Sequence, residues 1–112
     1  MEKKDLGKTS VGMQPNVAAV LSYLLGFVTG IIFFLVEKEN KFVRFHAMQS
    51  IVVFGFLFVL NIILPFIPVI GWVLIPILSI AAFVLWIVLM ISAGQGKKTK
   101  MPFAGEIAEK NA

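Results

Sequence analysis

The chain has no cysteine, and between Phe45 and Gly96 it has no aspartate, glutamate, lysine or arginine. The first absence excludes disulfides, thiolate metal sites and cysteine nucleophiles, though it says nothing of redox compartment. The second excludes a water-soluble fold, because so long an apolar run has no polar face to offer solvent. Thr9 to Val36 is a second stretch without charge. Only one histidine and one aspartate are present, and Asp5 lies in the N-terminal tail, so no Ser/His/Asp triad can be assembled. His46, with no carboxylate or cysteine near it, makes a poor metal site. Glu37, Glu39, Glu106 and Glu109 all fall outside the apolar runs. Gly94-Gln95-Gly96 is a weak match to a phosphate-cradling loop and follows an apolar helix. The chain is therefore expected not to be an enzyme and to use no cofactor and no metal.

What remains is apolar mass. Hydrophobic residues make up 59% of the chain and charged residues 14%, with 11 phenylalanines. Soluble domains usually carry about 25% charge. One small membrane domain accounts for this composition. The net charge of +4 sits in the tails and one loop. That distribution suits anionic headgroups and argues against a nucleic-acid partner. Met1 to Lys8 resembles the charged start of a signal peptide. The apolar stretch after it is too long for a signal core and ends in Glu37-Lys38-Glu39-Asn40 without a cleavage pattern, so it reads as an uncleaved helix.

A membrane helix needs roughly 20 apolar residues to cross about 30 Å of hydrocarbon. The expected fold is all-α, a bundle of three transmembrane helices at about 16–36, 45–64 and 69–93. This domain, 16–96, lies between a polar tail, 1–15, and a basic tail, 97–112. Asn16 is placed to cap the first helix. Pro65, Pro68 and Gly71 mark a hairpin at the far surface, where Trp72 suits an interfacial anchor. Pro76 should kink the third helix. Pro102 opens a short amphipathic helix with Phe103 and Ile107 on one side. Three crossings put the termini on opposite sides. Lys38, Lys41, Arg44, Lys97, Lys98 and Lys100 then share one side, against Lys3, Lys4 and Lys8 on the other. The positive-inside rule gives a multi-pass protein of the cell membrane, with the 37–44 loop and C-terminus cytoplasmic and the N-terminus outside.

Two features stand out against the apolar background. Ala18, Ser22, Gly26 and Gly30 recur every four residues and form a smooth face for close helix packing. That face serves either the other helices of the chain or a second membrane protein. His46, Gln49 and Ser50 fall within one arc of the second helix beside Arg44, and Asn61 joins its edge further on. Polar groups at membrane depth face protein or water. The arc therefore bonds neighbouring helices, lines a proton or solute path, or meets a partner. His46 is the residue whose ordinary pKa lies nearest neutrality. Lys97, Lys98 and Lys100 set orientation or hold anionic lipid.

The block from Leu21 to Gly30, and Glu37 to Ser50 after it, is similar to a family of small prokaryotic multi-pass membrane proteins of uncharacterised role. Its signature Phe-x-Arg-Phe-His-Ala-x-Gln is matched at Phe42, Arg44, Phe45, His46, Ala47 and Gln49. The ending Pro102 to Glu109 resembles the family's closing pattern, and the similarity covers about residues 16–110. That family is grouped with the Tic-twenty component of chloroplast protein import, which implies a protein-translocation role by analogy. The expected function is non-enzymatic. The chain would act by helix association with itself or a membrane partner within the lipid bilayer; the alternative is a small oligomeric channel or transporter.

Overall fold

The computed structural model describes residues 9–10 and 12–112; the expectations for Lys3, Lys4, Asp5 and Lys8 lie outside the described residues. Among the described residues every regular element is helical: α1 (Pro15–Leu24), α2 (Phe27–Val36), α3 (Lys41–Ile63), a 3-10 turn (Leu64–Phe66), α4 (Ile70–Gly94) and α5 (Ala104–Asn111). Two elements are long and apolar enough to cross a membrane, Lys41–Phe66 and Ile70–Gly94. At 1.5 Å per residue they reach ~39 and ~37 Å.

The third expected span, 16–36, is broken. Gly26 has φ +64° and ψ −134°, a conformation that side chains make costly and glycine does not. The helix stops at Leu24 and restarts at Phe27, giving two pieces of 10 residues each. Each is ~15 Å long, half the hydrocarbon layer. The pieces do not lie end to end. Ser10 and Glu37, on either side of them, are hydrogen-bonded at 2.8 Å. Two collinear helices would hold those flanks ~30 Å apart. Instead α1 enters beside the end of α4 and α2 returns beside the start of α3, forming a V.

Contacts fix that arrangement. Asn16 donates to the Gly94 carbonyl at one end of α1, and Trp86 of α4 donates to the Tyr23 carbonyl at the other. Gly26 lies against Phe54, Gly30 against Ala47 and Ser50, and Phe34 beside Arg44, so α2 runs antiparallel to α3. Both flanks of the V therefore lie at one end of the α3–α4 pair, with the 37–44 segment and Lys97. The expectation that the segment before α1 lies opposite that loop depended on the third crossing, which the break removes.

Several local features differ from expectation. Asn16 does not cap α1; Gln14 holds that position with Pro15 just inside, and the Asn16 amide reaches α4 instead. Asn40 caps α3 by accepting from the Val43 amide, so α3 starts at Lys41 and takes in Arg44. Pro76 lies inside α4 without ending it, as expected of the third helix. The short helix expected in the C-terminal segment is present as α5, starting at Ala104 and not at Pro102. The segment runs back along α3, and α5 packs with Ala104 and Ala108 buried. The buried core is small and lies at this same end: Ala19, Tyr23, Phe42, Leu89 and Ala93. The particle is elongated, 49 × 27 × 21 Å.

Candidate functional site

The start of α3 presents Phe42, Phe45, His46 and Gln49 inward because positions three and four apart share a helix face. The V brings Tyr23 against them. The Tyr23 hydroxyl lies 2.6 Å from His46 Nδ1, and Gln49 Nε2 donates to the same hydroxyl at 2.9 Å. The C-terminal segment supplies the remaining partners from its backbone. His46 Nε2 meets the Lys97 carbonyl at 2.8 Å, Gln49 Nε2 donates to Thr99 O, and the Met101 amide donates to Gln49 Oε1. Ser92 closes the edge, with its hydroxyl 2.6 Å from Thr99 Oγ1 and 3.3 Å from Lys97 O. Tyr23, His46 and Gln49 have no solvent exposure.

The geometry assigns the protons. A carbonyl only accepts, so His46 Nε2 carries hydrogen toward Lys97. Tyr23 receives from Gln49, and its own hydrogen points to Nδ1. In this arrangement Nδ1 of a neutral imidazole is the acceptor. A second ring proton would face the Tyr23 hydroxyl and leave that hydroxyl's hydrogen without its acceptor. The aromatic rings of Phe42, Phe45 and Tyr23 stand edge-on around the imidazole, with centroids at 4.7, 5.1 and 5.3 Å.

A second set of bonds serves the tip of the V. Breaking a helix leaves carbonyls and amides that lipid cannot satisfy. Thr29 Oγ1 accepts from the Leu25 amide and donates to the Ser22 carbonyl. Ser50 Oγ donates to Gly26 O at 2.7 Å, and Trp86 Nε1 to Tyr23 O at 2.6 Å. The polar side chains of an apolar chain are thus spent on an irregular backbone.

A third set closes the V at its open end. The Glu37 carboxylate accepts from the Ser10 amide and hydroxyl and from the amides of Glu39 and Asn40. Burial alone would push this carboxyl up. The amides of Asn40, Glu39 and Ser10 and the Ser10 hydroxyl outweigh it and hold Glu37 below the ordinary glutamate range. Arg44 donates to Phe34 O and Glu37 O and stacks on the Phe34 ring at 4.1 Å, placing a cation on the C-terminal carbonyls of α2.

Of the sequence-derived residues, the fold joins His46, Gln49 and Ser50 to Tyr23 and the tip of the V, with Arg44 at its mouth. It leaves Asn61 out: that amide is exposed and donates to Leu57 O on its own helix. Ala18, Ser22 and Gly30 are buried within the chain and Gly26 is the break, so no continuous small-residue face is offered outward. Tyr23, Glu37, Trp86 and Ser92 carry bonds that the sequence pattern does not single out. A lone tyrosine in an apolar run was the available signal, because a buried phenol demands partners. Among the described residues no group of three His, Asp or Glu side chains could hold a metal ion.

Two long apolar helices tied at one end by buried polar bonds define a small all-helical protein built for lipid. The chain belongs to the magnetosome magnetite crystal formation protein family, which it matches over residues 9–108. It is 55% identical over 104 residues to a UPF0132 membrane protein of Methanocaldococcus jannaschii, covering 93% of this chain and 94% of that one. A UPF0132 membrane protein of Archaeoglobus fulgidus is 53% identical over 97 residues, covering 87% and 94%. A second M. jannaschii member is 46% identical over 101 residues, covering 90% and 72%. No solved structure matches. The chain is thus a membrane protein of this family.

Proposed function

We propose that the chain is a non-enzymatic, multi-pass protein of the cell membrane that crosses the bilayer with α3 and α4 and acts by association within it. The observation that carries this reading is the fate of its polar side chains. Tyr23, His46, Gln49, Ser50 and Glu37 are all bonded to the chain's own backbone or to each other, which leaves outward surfaces of apolar side chains. What such a protein presents to others is helix surface. On α3, Gly55 has open space around it, and Ala81 of α4 is exposed, so another helix can approach closely at both. The partner is a second copy or another membrane protein.

A channel, transporter or protein-translocation role, the last following the Tic-twenty resemblance, needs a hydrated path. The cleft beside α3, about 430 Å³, is lined by Val52, Val53, Phe56, Leu57, Leu85 and the Met101–Ala104 segment, all apolar. That lining favours association over transport. The family's name adds magnetite crystal formation, and this chain's part in such a role would be the membrane one.

Photo-crosslinkers at Gly55 and Ala81 in native membranes test the proposal. Capture of a discrete protein from either position supports it. Capture of lipid alone from both, with a monomer in mild detergent, contradicts it.

A further inference from the structure

The V formed by α1 and α2 covers only half the length of the α3–α4 pair. Its tip lies level with Phe54 of α3 and Trp86 of α4, and its mouth with Arg44 and Gly94. The C-terminal segment stays within the same half, reaching no further than the Val52–Leu57 and Leu85 walls of the cleft. Five helices thus share one end, and two continue alone to the turn at Pro65–Val69.

The outer face of the V is apolar and uncovered: Leu24, Leu25, Val28, Ile32 and Leu35 are all exposed, Leu25 at 65% and Leu35 at 63%. Its arms are ~15 Å long, the depth of one leaflet's hydrocarbon. Exposed Lys38 and Lys41 lie beside its mouth, with Lys97 and Lys98 following α4 at the same end. An apolar wall of one-leaflet depth beneath a cationic rim complements an anionic lipid leaflet. The irregular backbone at the tip is satisfied from inside by Thr29, Ser50 and Trp86, the condition for a broken helix to lie at membrane depth.

We infer that α1 and α2 form a re-entrant hairpin seated in a single leaflet, and that it makes the protein a wedge favouring membranes convex on its cationic side. The inference rests on the reading of α3 and α4 as spans. Helices are 10–12 Å across, so α1 and α2 widen that leaflet by roughly 160–230 Å² per molecule relative to the other. A molecule of that shape relieves packing stress where the wide leaflet is the outer one, and interfacial helices are known to sense such curvature.

The test reconstitutes the full chain into phosphatidylcholine–phosphatidylglycerol vesicles of mixed size and reads protein per lipid in single vesicles. The absence of native cysteine lets one introduced cysteine, Lys38→Cys, report orientation through an impermeant maleimide. Protein density is expected to rise severalfold from vesicles of about 400 nm to about 50 nm, with the label facing outward on the small ones. Uniform density, or enrichment with residue 38 facing inward, overturns the wedge. A spin label at Leu25→Cys is expected to sit near the bilayer centre; crosslinking of two copies through it gives that face to a second copy and also overturns the proposal. Release of the protein by alkaline carbonate removes the spans themselves, a failure distinct from the others.

Discussion

The two ends of this molecule are built on different principles. At the end bearing Lys38 and Lys97, five helices meet, and buried bonds from Tyr23, His46, Gln49, Ser50, Trp86 and Glu37 hold them in register. At the other end, α3 and α4 are bare rods whose polar groups stay local: Asn61 bonds its own helix, and Trp72 reaches only the Pro65 carbonyl across the turn. Lipid provides no hydrophobic push between helices, so specific assembly has to come from hydrogen bonds and close backbone approach. Where the chain must stay irregular it concentrates both. Where it has only to cross, length and apolarity suffice.

Substitutions at the two ends should therefore differ sharply. Gln49→Leu is expected to have the largest effect, because it strands the Thr99 carbonyl and the Met101 amide at once and takes one of two partners from the Tyr23 hydroxyl. A loss of about 3 kcal/mol in detergent unfolding, with faster tryptic cleavage at Lys97–Lys100, follows from two unsatisfied backbone groups and a weakened third. Asn61→Leu, which removes one exposed bond, should stay within about 0.5 kcal/mol.

Glycines sharpen the contrast. A Cβ on Gly30 would lie 2.9 Å from the Ala47 carbonyl oxygen, so Gly30→Ala should separate α2 from α3 at a cost of about 2 kcal/mol. Gly26→Ala meets no hard clash but forces alanine into a glycine conformation, at about 1–2 kcal/mol. Gly55→Ala, with open space around it, should be neutral or stabilise slightly.

The smallest effect depends on pH. Glu37 binds its proton less readily folded than unfolded, so its contribution is complete above the ordinary glutamate value of 4.5. It is lost as pH falls through the lower folded value. Hydrogen exchange at the amides of Ser10, Glu39 and Asn40, normalised to the intrinsic rate at each pH, should accelerate on acidification below about pH 4.5, and Glu37→Gln should abolish that dependence. Unchanged exchange in the wild type would show that the carboxylate does not close the V.

The long rods were legible in the sequence because a run free of charge, interrupted only by Pro65, Pro68 and Gly71, permits little else. The V was not. Residues 16–36 have the length and hydropathy of a crossing, and hydropathy carries no information about φ at Gly26. The glycine read as part of a packing face was the hinge. His46, Gln49 and Ser50 were singled out by angular position, and all three are buried. The same reasoning admitted Asn61, which lies ~18 Å further along the helix axis than Gln49, beyond the reach of any shared partner. The partners themselves were hidden for another reason. Lys97, Thr99 and Met101 contribute backbone atoms, which every residue carries and no side-chain pattern reveals.

The sidedness of α1 and α2 tests the account most directly. Single cysteines at Gln14, Lys38 and Val69, each reacted with an impermeant maleimide in sealed, uniformly oriented vesicles, separate a returning hairpin from a crossing helix. Positions 14 and 38 are expected to react from the same face and position 69 from the other. Reaction of positions 14 and 38 from opposite faces would restore a third crossing and contradict the hairpin.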